Sequence, residues 1–386
     1  MNKINKDWKE VKLGDIVDIT MGQSPKSEFY NKRNEGMPFL QGSATFGFMH
    51  PYFEIYSSDI KKIAVNGSVL MSVRAPVGDL NIANADVCIG RGLCSINGKS
   101  NIINRYIFYL LSYYKPKLLN MQKGTTFGAI TKDDILNFKV LIAEDIEEQK
   151  RIASALSKID AYLENTIKLI EEKERFKRGI AKKLLTCKEG ENIPEARFKG
   201  FEDEWKTKTL ENICENIKTG KLNANAMEKD GQYRFYTCAK DYYKINTYAF
   251  DGEAILISGN GAHVGYVHYY NGKFNAYQRT YVLMDFTENI LFIKYYLDIH
   301  LKYKINIENN KGNIPYIVLN TIKDMEIKFP SLEEQEKIGG YLSLLDAEID
   351  NLKKQKELIK EMKRGAMQKL LSGEVRLSKN AFNENI

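Results

Sequence analysis

Five cysteines, four histidines and one near-miss phosphate loop are the groups through which this 386-residue chain could do chemistry of its own. The cysteines, Cys88, Cys94, Cys187, Cys214 and Cys238, are odd in number and contain no CxxC pair. That usage points to a reducing compartment and away from a disulfide frame or a zinc site. His50, His263, His268 and His300 show no metal-ligand spacing. Gly98-Lys99-Ser100 ends like a phosphate-binding loop, but Leu93 stands where its first glycine must be. Without consecutive prolines there is no Asp/Asn-Pro-Pro-aromatic motif of an amino-methyltransferase, and without Pro-Asp the common nuclease carboxylate core is disfavoured. Neither a Gly-x-Ser-x-Gly elbow nor an HExxH helix is present. No catalytic residue and no metal ligand is therefore assigned, and no cofactor is expected on this chain. The pattern points to a binding protein whose chemistry is supplied by partners. Its net charge of +7 is compatible with nucleic acid without proving it. The opening MNKINKDWKEVKL lacks an apolar signal core, and no run approaches the ~20 apolar residues of a membrane span. A soluble, cytoplasmic protein is expected.

The elements that must carry such a binding role are two long amphipathic stretches. From Asp145 to Cys187 apolar residues fall at Ile152, Leu156, Ile159, Leu163, Ile170, Ile180 and Leu184, with Thr166, Lys173 and Lys177 in the intervening seam slots. This four-three alternation is a coiled-coil seam rather than a broad globular stripe. Asp145 and Glu148 form a capping-box pattern at its start. Roughly 40 helical residues make a rod of about 60 Å, which cannot bury its seam alone. The partner lies in the same chain. Ser331 to Gly373 overlays the first stretch without gaps after a shift of 186 positions, placing Glu334-Gln335 on Glu148-Gln149 and Arg364-Gly365 on Arg178-Gly179. Its seam is Ile338, Leu342, Leu345, Ile349, Leu352, Lys356, Ile359, Lys363, Ala366 and Leu370. Ser331 and Glu334 repeat the cap. Gly339-Gly340 replaces Ala153-Ser154, which predicts a late start or a bend, since a helical glycine costs about 1 kcal/mol. The basic ends Lys173 to Lys183 and Lys360 to Lys369 are expected to complement helix macrodipoles and solvent.

The repeat extends beyond the rods. Trp8 to Leu13 returns as Trp205 to Leu210, and each start feeds a block of short segments that ends at a rod. The order is block, rod, block, rod, with boundaries at residues 1–144, 145–190, 191–330 and 331–386. Val65 to Met71 reads as a turn into a buried strand, mirrored by Asp251 to Ile257. Ile102 to Lys117 and Asn289 to Ile307 read as aromatic-rich helices, better suited to core than to stacking on a ligand. The loop after Gly124 is mirrored by the loop after Gly312. Scaffold positions repeat while loop positions differ, as two reading heads with different targets would require.

This layout resembles the specificity subunit of a type I restriction–modification system over nearly the whole chain. The markers are Trp8…Leu13-Gly14-Asp15, Glu147-Glu148-Gln149…Ile152…Leu156…Ile159-Asp160, the bridge Pro194…Arg197-Phe198…Gly200-Phe201…Trp205, Glu333-Glu334-Gln335…Ile338 and Leu370-Leu371-Ser372-Gly373. Each is weak alone; their order and double occurrence carry the match. The resemblance implies an α+β chain of two globular α/β-type target-recognition domains, joined by two long helices packed as an antiparallel coiled coil with an internal pseudo-two-fold repeat. Each domain would read one half of a bipartite, asymmetric double-stranded DNA site. The helices would set the gap, packing through Ile152, Leu156, Ile159, Leu163, Ile338, Leu342, Leu345 and Ile349. They would also dock two methyltransferase subunits, with restriction and translocase subunits joining that core. S-adenosylmethionine, ATP and Mg would sit on those partners, and this chain would be non-catalytic.

Sequence reading needs planar donors at base edges, mainly Arg, Lys, Asn and Gln, while phosphate positioning needs cations, hydroxyls and backbone amides. In the first block the candidates are Gln41 and Ser43 after an apolar segment, Arg74 at a strand-to-loop edge, Arg91 between two glycines, and Lys123, Thr125 and Thr126. In the second they are Thr237, Lys240, Asn260, His263, Gln278, Arg279, Asn310, Lys311 and Asn313. The blander reading makes the arginines surface ion-pair partners, the Asn/Lys/Gly cluster a flexible turn and His263 a satisfied loop histidine. A rival from another class is a coiled-coil scaffold with two protein-binding heads and no nucleic acid. Salt-dependent binding to random duplex DNA separates the two.

Overall fold

The computed structural model describes residues 8–120, 129–308 and 316–377. Its main helices are α1 (Asn104–Asn120), α2 (Ile146–Leu185), α3 (Ile290–Glu308) and α4 (Leu332–Leu371). The two predicted rods are thus continuous helices of 40 residues each. Asp145 caps α2 by accepting from the Glu147 amide at 3.0 Å, and Ser331 caps α4 by accepting from the Glu334 amide at 3.4 Å.

The reciprocal half of the expected capping box is replaced by longer-range bonds. Glu148, 1 % exposed, accepts from Trp8 Nε1 at 3.4 Å and from Arg376 at 2.7 and 3.1 Å. Glu334 accepts two bonds from Arg197, both at 2.8 Å. A buried carboxylate needs a charged partner more than a helix end needs a second cap, so arginine takes both glutamates.

The expectation of a late start at Gly339-Gly340 is also corrected, because both residues lie inside α4, which begins at Leu332. A Cβ on Gly339 would meet Asn289 Oδ1 at 2.9 Å and Leu291 Cβ and the Phe292 nitrogen at 3.0 Å. Gly339 is there so that the start of α3 can approach the helix.

The chain folds as two compact units. One takes the described residues up to Lys168 together with those from Lys354 onward; the other is Leu169–Lys353. Each long helix therefore gives one half of itself to each unit.

The first unit contains β1 (Trp8–Lys12), β2 (Val17–Met21), β3 (Met37–Leu40), β4 (Val69–Ser72), β5 (Leu80–Ile82), β6 (Val87–Ile89), β7 (Leu93–Gly98) and β8 (Lys139–Ala143). An antiparallel sheet has the order β2-β7-β4-β5, with Ser95 opposite Thr20 on one side and Leu70 on the other. A smaller sheet pairs β3 with β6 in parallel, and β1 pairs with β8 as a ribbon that leads into α2. The aromatic helix α1 is core, as expected. Tyr106, Tyr109 and Leu110 are fully buried in one cluster with Met71, Ile96, Ile152, Leu156 and Leu371.

The second unit contains β9 (Lys206–Thr209), β10 (Cys214–Thr219), β11 (Tyr233–Tyr236), β12 (Tyr243–Ile245), β13 (Phe250–Ser258), β14 (Val267–Ala276), β15 (Thr280–Phe286) and β16 (Glu326–Phe329). One sheet of six strands has the order β10-β15-β13-β14-β11-β12, while β9 and β16 repeat the ribbon. Side chains along β13 alternate between two clusters. Ile255 and Ile257 pack with α3, Leu342 and Leu345, whereas Ala254 and Leu256 pack on the other face with Tyr236 and Phe274.

Within each unit the halves of α2 and α4 run antiparallel. In the first, Asp160 pairs with Lys363 at 2.6 Å, and Glu148 with Arg376 just past the end of α4. In the second, Lys173 pairs with Glu348 at 2.5 Å and Lys177 with Asp346. The seam residues Ile152, Leu156, Leu163, Ile338, Leu342, Leu345 and Ile349 are buried, and Ile159 is half-buried against the first core. Lys173, Lys177 and Lys363 thus go to carboxylates on the facing helix, which corrects for these three the expectation of dipole and solvent contact, while Lys182, Lys183 and Lys369 stand in the last turns of their helices.

Two of these pairs are copies of one another. Asp160, Tyr109 and Lys363 correspond to Asp346, Tyr295 and Lys177 by the same step of 186 positions, the two lysines exchanging helices. Tyr109 donates its hydroxyl to Asp160 Oδ2 at 2.8 Å, and Tyr295 to Asp346 Oδ2 at 2.7 Å. Lys363 Nζ lies 5.8 Å from the Tyr109 ring centre and Lys177 Nζ 5.0 Å from that of Tyr295. Burial acts to raise the Asp346 carboxyl, but hydrogen bonds from Lys177 and Tyr295 and the charge of Lys294 outweigh it and hold the group below its ordinary value.

Candidate nucleic-acid interface

Three loops meet at one end of the main sheet in the first unit. Gly22 donates to the Leu93 carbonyl, Gly90 to Leu40, Val73 to Gly92, and Ile130 to Val73, all at 2.8–3.0 Å. These bonds lace the ends of β2, β3, β4 and β6 to the Gly90-Arg91-Gly92 turn. A Cβ on Gly22 would fall 2.1 Å from the Gly90 carbonyl oxygen, so only glycine permits that approach.

The arrangement brings together four of the sequence-predicted residues. Gln41 is exposed beside Gly90 and Gly92, its Oε1 accepting from Ser24 Oγ at 3.1 Å. The Arg91 amide donates to the same Ser24 oxygen at 3.2 Å, and its side chain is exposed. Arg74 follows Val73, whose amide is bonded to Gly92, and precedes a cis Ala75-Pro76 peptide. It is exposed and has no ion pair among the described residues. Ser43, half-buried, donates to Asp79 Oδ2 at 3.2 Å, and Asp79 is held by Lys115 at 2.8 Å. Ser43 is therefore engaged in bracing the Ser72–Asp79 turn. Lys123, Thr125 and Thr126 lie outside the described residues.

The second unit rebuilds this lacing with different side chains. Gly220 donates to Thr280, Tyr277 to Tyr236, Gly259 to Arg279, and Ile317 to Gly259, at 2.8–3.3 Å. The turn closes the same way in both units, Leu93 donating to Gly90 and Thr280 to Tyr277. A Cβ on Gly220 would sit 1.9 Å from the Ala276 carbonyl oxygen, repeating the demand met by Gly22. In this framework Gln41 corresponds to Thr237, Arg74 to Asn260, and Arg91-Gly92 to Gln278-Arg279.

The candidates of the second unit divide by exposure. Thr237 is 7 % exposed and accepts from the Ala239 amide at 3.3 Å, which makes it a turn-former. Lys240, His263, Gln278 and Arg279 are exposed and Asn260 is half-buried. Gln278 is held to Asn223 Oδ1 at 3.0 Å, while the Arg279 carbonyl accepts from Gly259 and from Cys238 Sγ at 3.3 Å. Asn260, Gln278 and Arg279 thus converge on one loop end, with His263 on the turn that follows Asn260. Asn310, Lys311 and Asn313 lie outside the described residues.

Sequence reasoning missed the residues that brace these loop positions. Ser24 fixes both Gln41 and Arg91, and Asn223 fixes Gln278. They sit two and three residues past their framework glycines, Gly22 and Gly220, which is the signal that could have found them. Arg234 was also missed: its guanidinium lies between the rings of Tyr242 and Tyr270, 4.3 Å from each centre.

Among the described residues no group of three or more His, Cys, Asp or Glu is placed to hold a metal ion. Two cysteine thiols are pushed up by burial, Cys94 to about 12 and Cys214 to about 11. No described helix is long and apolar enough to cross a membrane. What both loop ends offer is a platform of exposed planar donors and cations on a rigid backbone, suited to hydrogen bonding with a polar anionic surface.

The family model described as "Type I restriction modification DNA specificity domain" matches the chain twice, over residues 5–172 and 202–361. The putative type I restriction enzyme MjaX specificity subunit of Methanocaldococcus jannaschii is 44% identical over 191 residues, 49% of this chain and 45% of that protein. The type I restriction enzyme EcoDI specificity subunit of Escherichia coli is 37% identical over 187 residues, 47% of this chain and 41% of that protein. The chain thus covers less than half the length of these two relatives. A crystal structure of a type I restriction–modification system S subunit from M. genitalium matches with a TM-score of 0.69 at 18% identity, covering 96% of this chain and 97% of that one. At that identity the likeness speaks for the fold: paired long helices and a twice-used block. Two matches to one family model, together spanning most of the sequence, show that the chain belongs to the type I restriction–modification DNA specificity family.

Proposed function

We propose that the chain is the DNA-reading, non-catalytic specificity subunit of a type I restriction–modification complex, each unit recognising one half of a bipartite duplex site. The observation that carries this reading is the doubled loop framework. The same backbone bonds recur in both units, while Gln41, Arg74, Arg91 and Gly92 in one give way to Thr237, Asn260, Gln278 and Arg279 in the other. A scaffold kept constant under donors that change is what two independent sequence readers need. The exposed arginines suit guanine edges, and Asn260 and Gln278 suit adenine edges. Both relatives above carry the name of specificity subunit.

Adenine methylation and ATP-dependent cleavage belong, in this proposal, to partners: two modification subunits docked on the long helices, with restriction and translocase subunits joining them. S-adenosylmethionine, ATP and Mg are placed on those partners, and the complex works in the cytoplasm. Two substitutions test the reading. Arg91→Ala should relax base preference in one half-site and leave the other intact, with a cost of about 1–3 kcal/mol at the affected position. Gln278→Ala should do the converse. Loss of preference in both half-sites from either substitution would contradict two separate readers.

A further inference from the structure

The second unit has a cationic cavity that the reading loops do not account for. Its volume is about 440 Å³, and it is lined by Arg234, Lys244, Lys273, Gln232 and three tyrosines. Arg234 lies on β11, and its guanidinium is stacked between Tyr242 and Tyr270 while Nη1 meets the Tyr236 hydroxyl at 3.2 Å. The sandwich fixes the plane of a group with five donors, most of them without a partner among the described residues. Lys244 stands directly opposite Arg234 in the β11–β12 pair. Like charges in that relation destabilise a sheet unless an anion offsets them. Lys273 lies 4.7 Å over the Tyr248 ring. Asp251, opposite Lys273 in the β13–β14 pair, acts on that lysine but does not line the cavity. None of the three cations has an ion pair among the described residues.

We infer that this cavity is a phosphodiester-binding site, contacting the DNA backbone beside the half-site that the second unit reads. The inference rests on the proposed DNA function. Three cations with no ion pair among the described residues, spread along an open groove, suit a polyanion, and a planar, pre-oriented guanidinium suits two phosphate oxygens at once. The site also adjoins the reading loops. Tyr242 closes the loop that carries Thr237 and Lys240, and Arg234 is two residues before Tyr236, the carbonyl partner of Tyr277. On a strand that is about 7 Å.

The test is equilibrium binding of the full chain to a random-sequence duplex across a salt series, by fluorescence anisotropy, for the unaltered chain, Arg234→Ala, Arg234→Lys and Lys244→Gln/Lys273→Gln. The last two cations are exposed, so their replacement spares the fold, which thermal melts of every variant check. Each phosphate contact contributes about 0.9 to the log–log salt slope. The expected result is a slope lowered by about 1 in Arg234→Ala and by 1–2 in the double variant, with equal loss against every sequence. Arg234→Lys should keep part of the slope and lose affinity. Unchanged slopes in folded variants, or a loss confined to particular base sequences, would overturn this inference alone. Absence of salt-dependent binding by the unaltered chain would overturn it together with the proposed function.

Discussion

The buried Asp160–Lys363 pair sets a measurable condition on the seam. Asp160 is 2 % exposed, takes the Tyr109 hydroxyl on one oxygen and Lys363 on the other, and lies against the core of the first unit. Replacing Lys363 by methionine leaves the carboxylate buried with one neutral donor. Breaking a fully buried pair costs about 3–5 kcal/mol. The Lys363 side chain is 25 % exposed, and screening there brings the expectation to about 2–3 kcal/mol. In Asp160→Asn the lysine can turn to solvent and the amide oxygen still accepts from Tyr109, so about 1–2 kcal/mol is expected. Adding Lys363→Met to Asp160→Asn should cost little more, giving a coupling of about 2 kcal/mol. Urea unfolding measures this cleanly because the two tryptophans fall one to a unit, Trp8 and Trp205. In a Trp205→Phe background the remaining fluorescence reports the first unit, and Lys363→Met should lower its midpoint by about 1 M. A shift under about 0.2 M, or a double variant that costs the full sum of its singles, would refute the view that the seam depends on this pair.

The neighbouring glycines of α4 should respond in opposite directions. Gly340→Ala meets nothing within 4 Å and should stabilise by about 1 kcal/mol from helix propensity, whereas Gly339→Ala must displace Asn289 and the start of α3 and should destabilise in the same melt. Two half-buried histidines make stability depend on pH. Burial holds His268 and His300 below the ordinary imidazole value, against the raising effect of their bonds to the Ala239 and Leu185 carbonyls. The unfolded chain then binds more protons as pH falls below about 6.5, so stability present above that pH is lost on the way down towards the folded values. Each contributes at most about 1.4 kcal/mol by pH 5.5. His300→Gln should therefore lose less melting temperature between pH 7.5 and 5.5 than the unaltered chain, and an equal loss would contradict the burial argument.

The long helices were legible because a seam is a local pattern: Ile152, Leu156 and Ile159 announce a buried stripe whatever lies across it. The repeat was legible because Trp8 and Trp205 head two blocks of the same plan. What covers a polar seam position was not legible. Lys177 and Lys363 read as solvent-facing ends, yet their carboxylates lie on the opposing helix, 169 and 203 positions away. Glu148 read as half of a capping box because only the structure brings Arg376 to it. At the loop ends Arg74, Arg91, Asn260 and Gln278 stood out by residue type between turn signals. Their braces Ser24 and Asn223 did not, since a serine or asparagine in a loop has many local uses. Arg234 sat unnoticed in an ordinary alternating strand, its two aromatic neighbours 8 and 36 positions further on.

In the proposed function one chain reads two unlike DNA half-sites. Selection of bound duplexes from a fully randomised pool, with the assembled complex at moderate salt, tests it most directly. Two different specified blocks separated by a fixed number of unspecified base pairs should be enriched. Enrichment of a single continuous block, or of none, would contradict it.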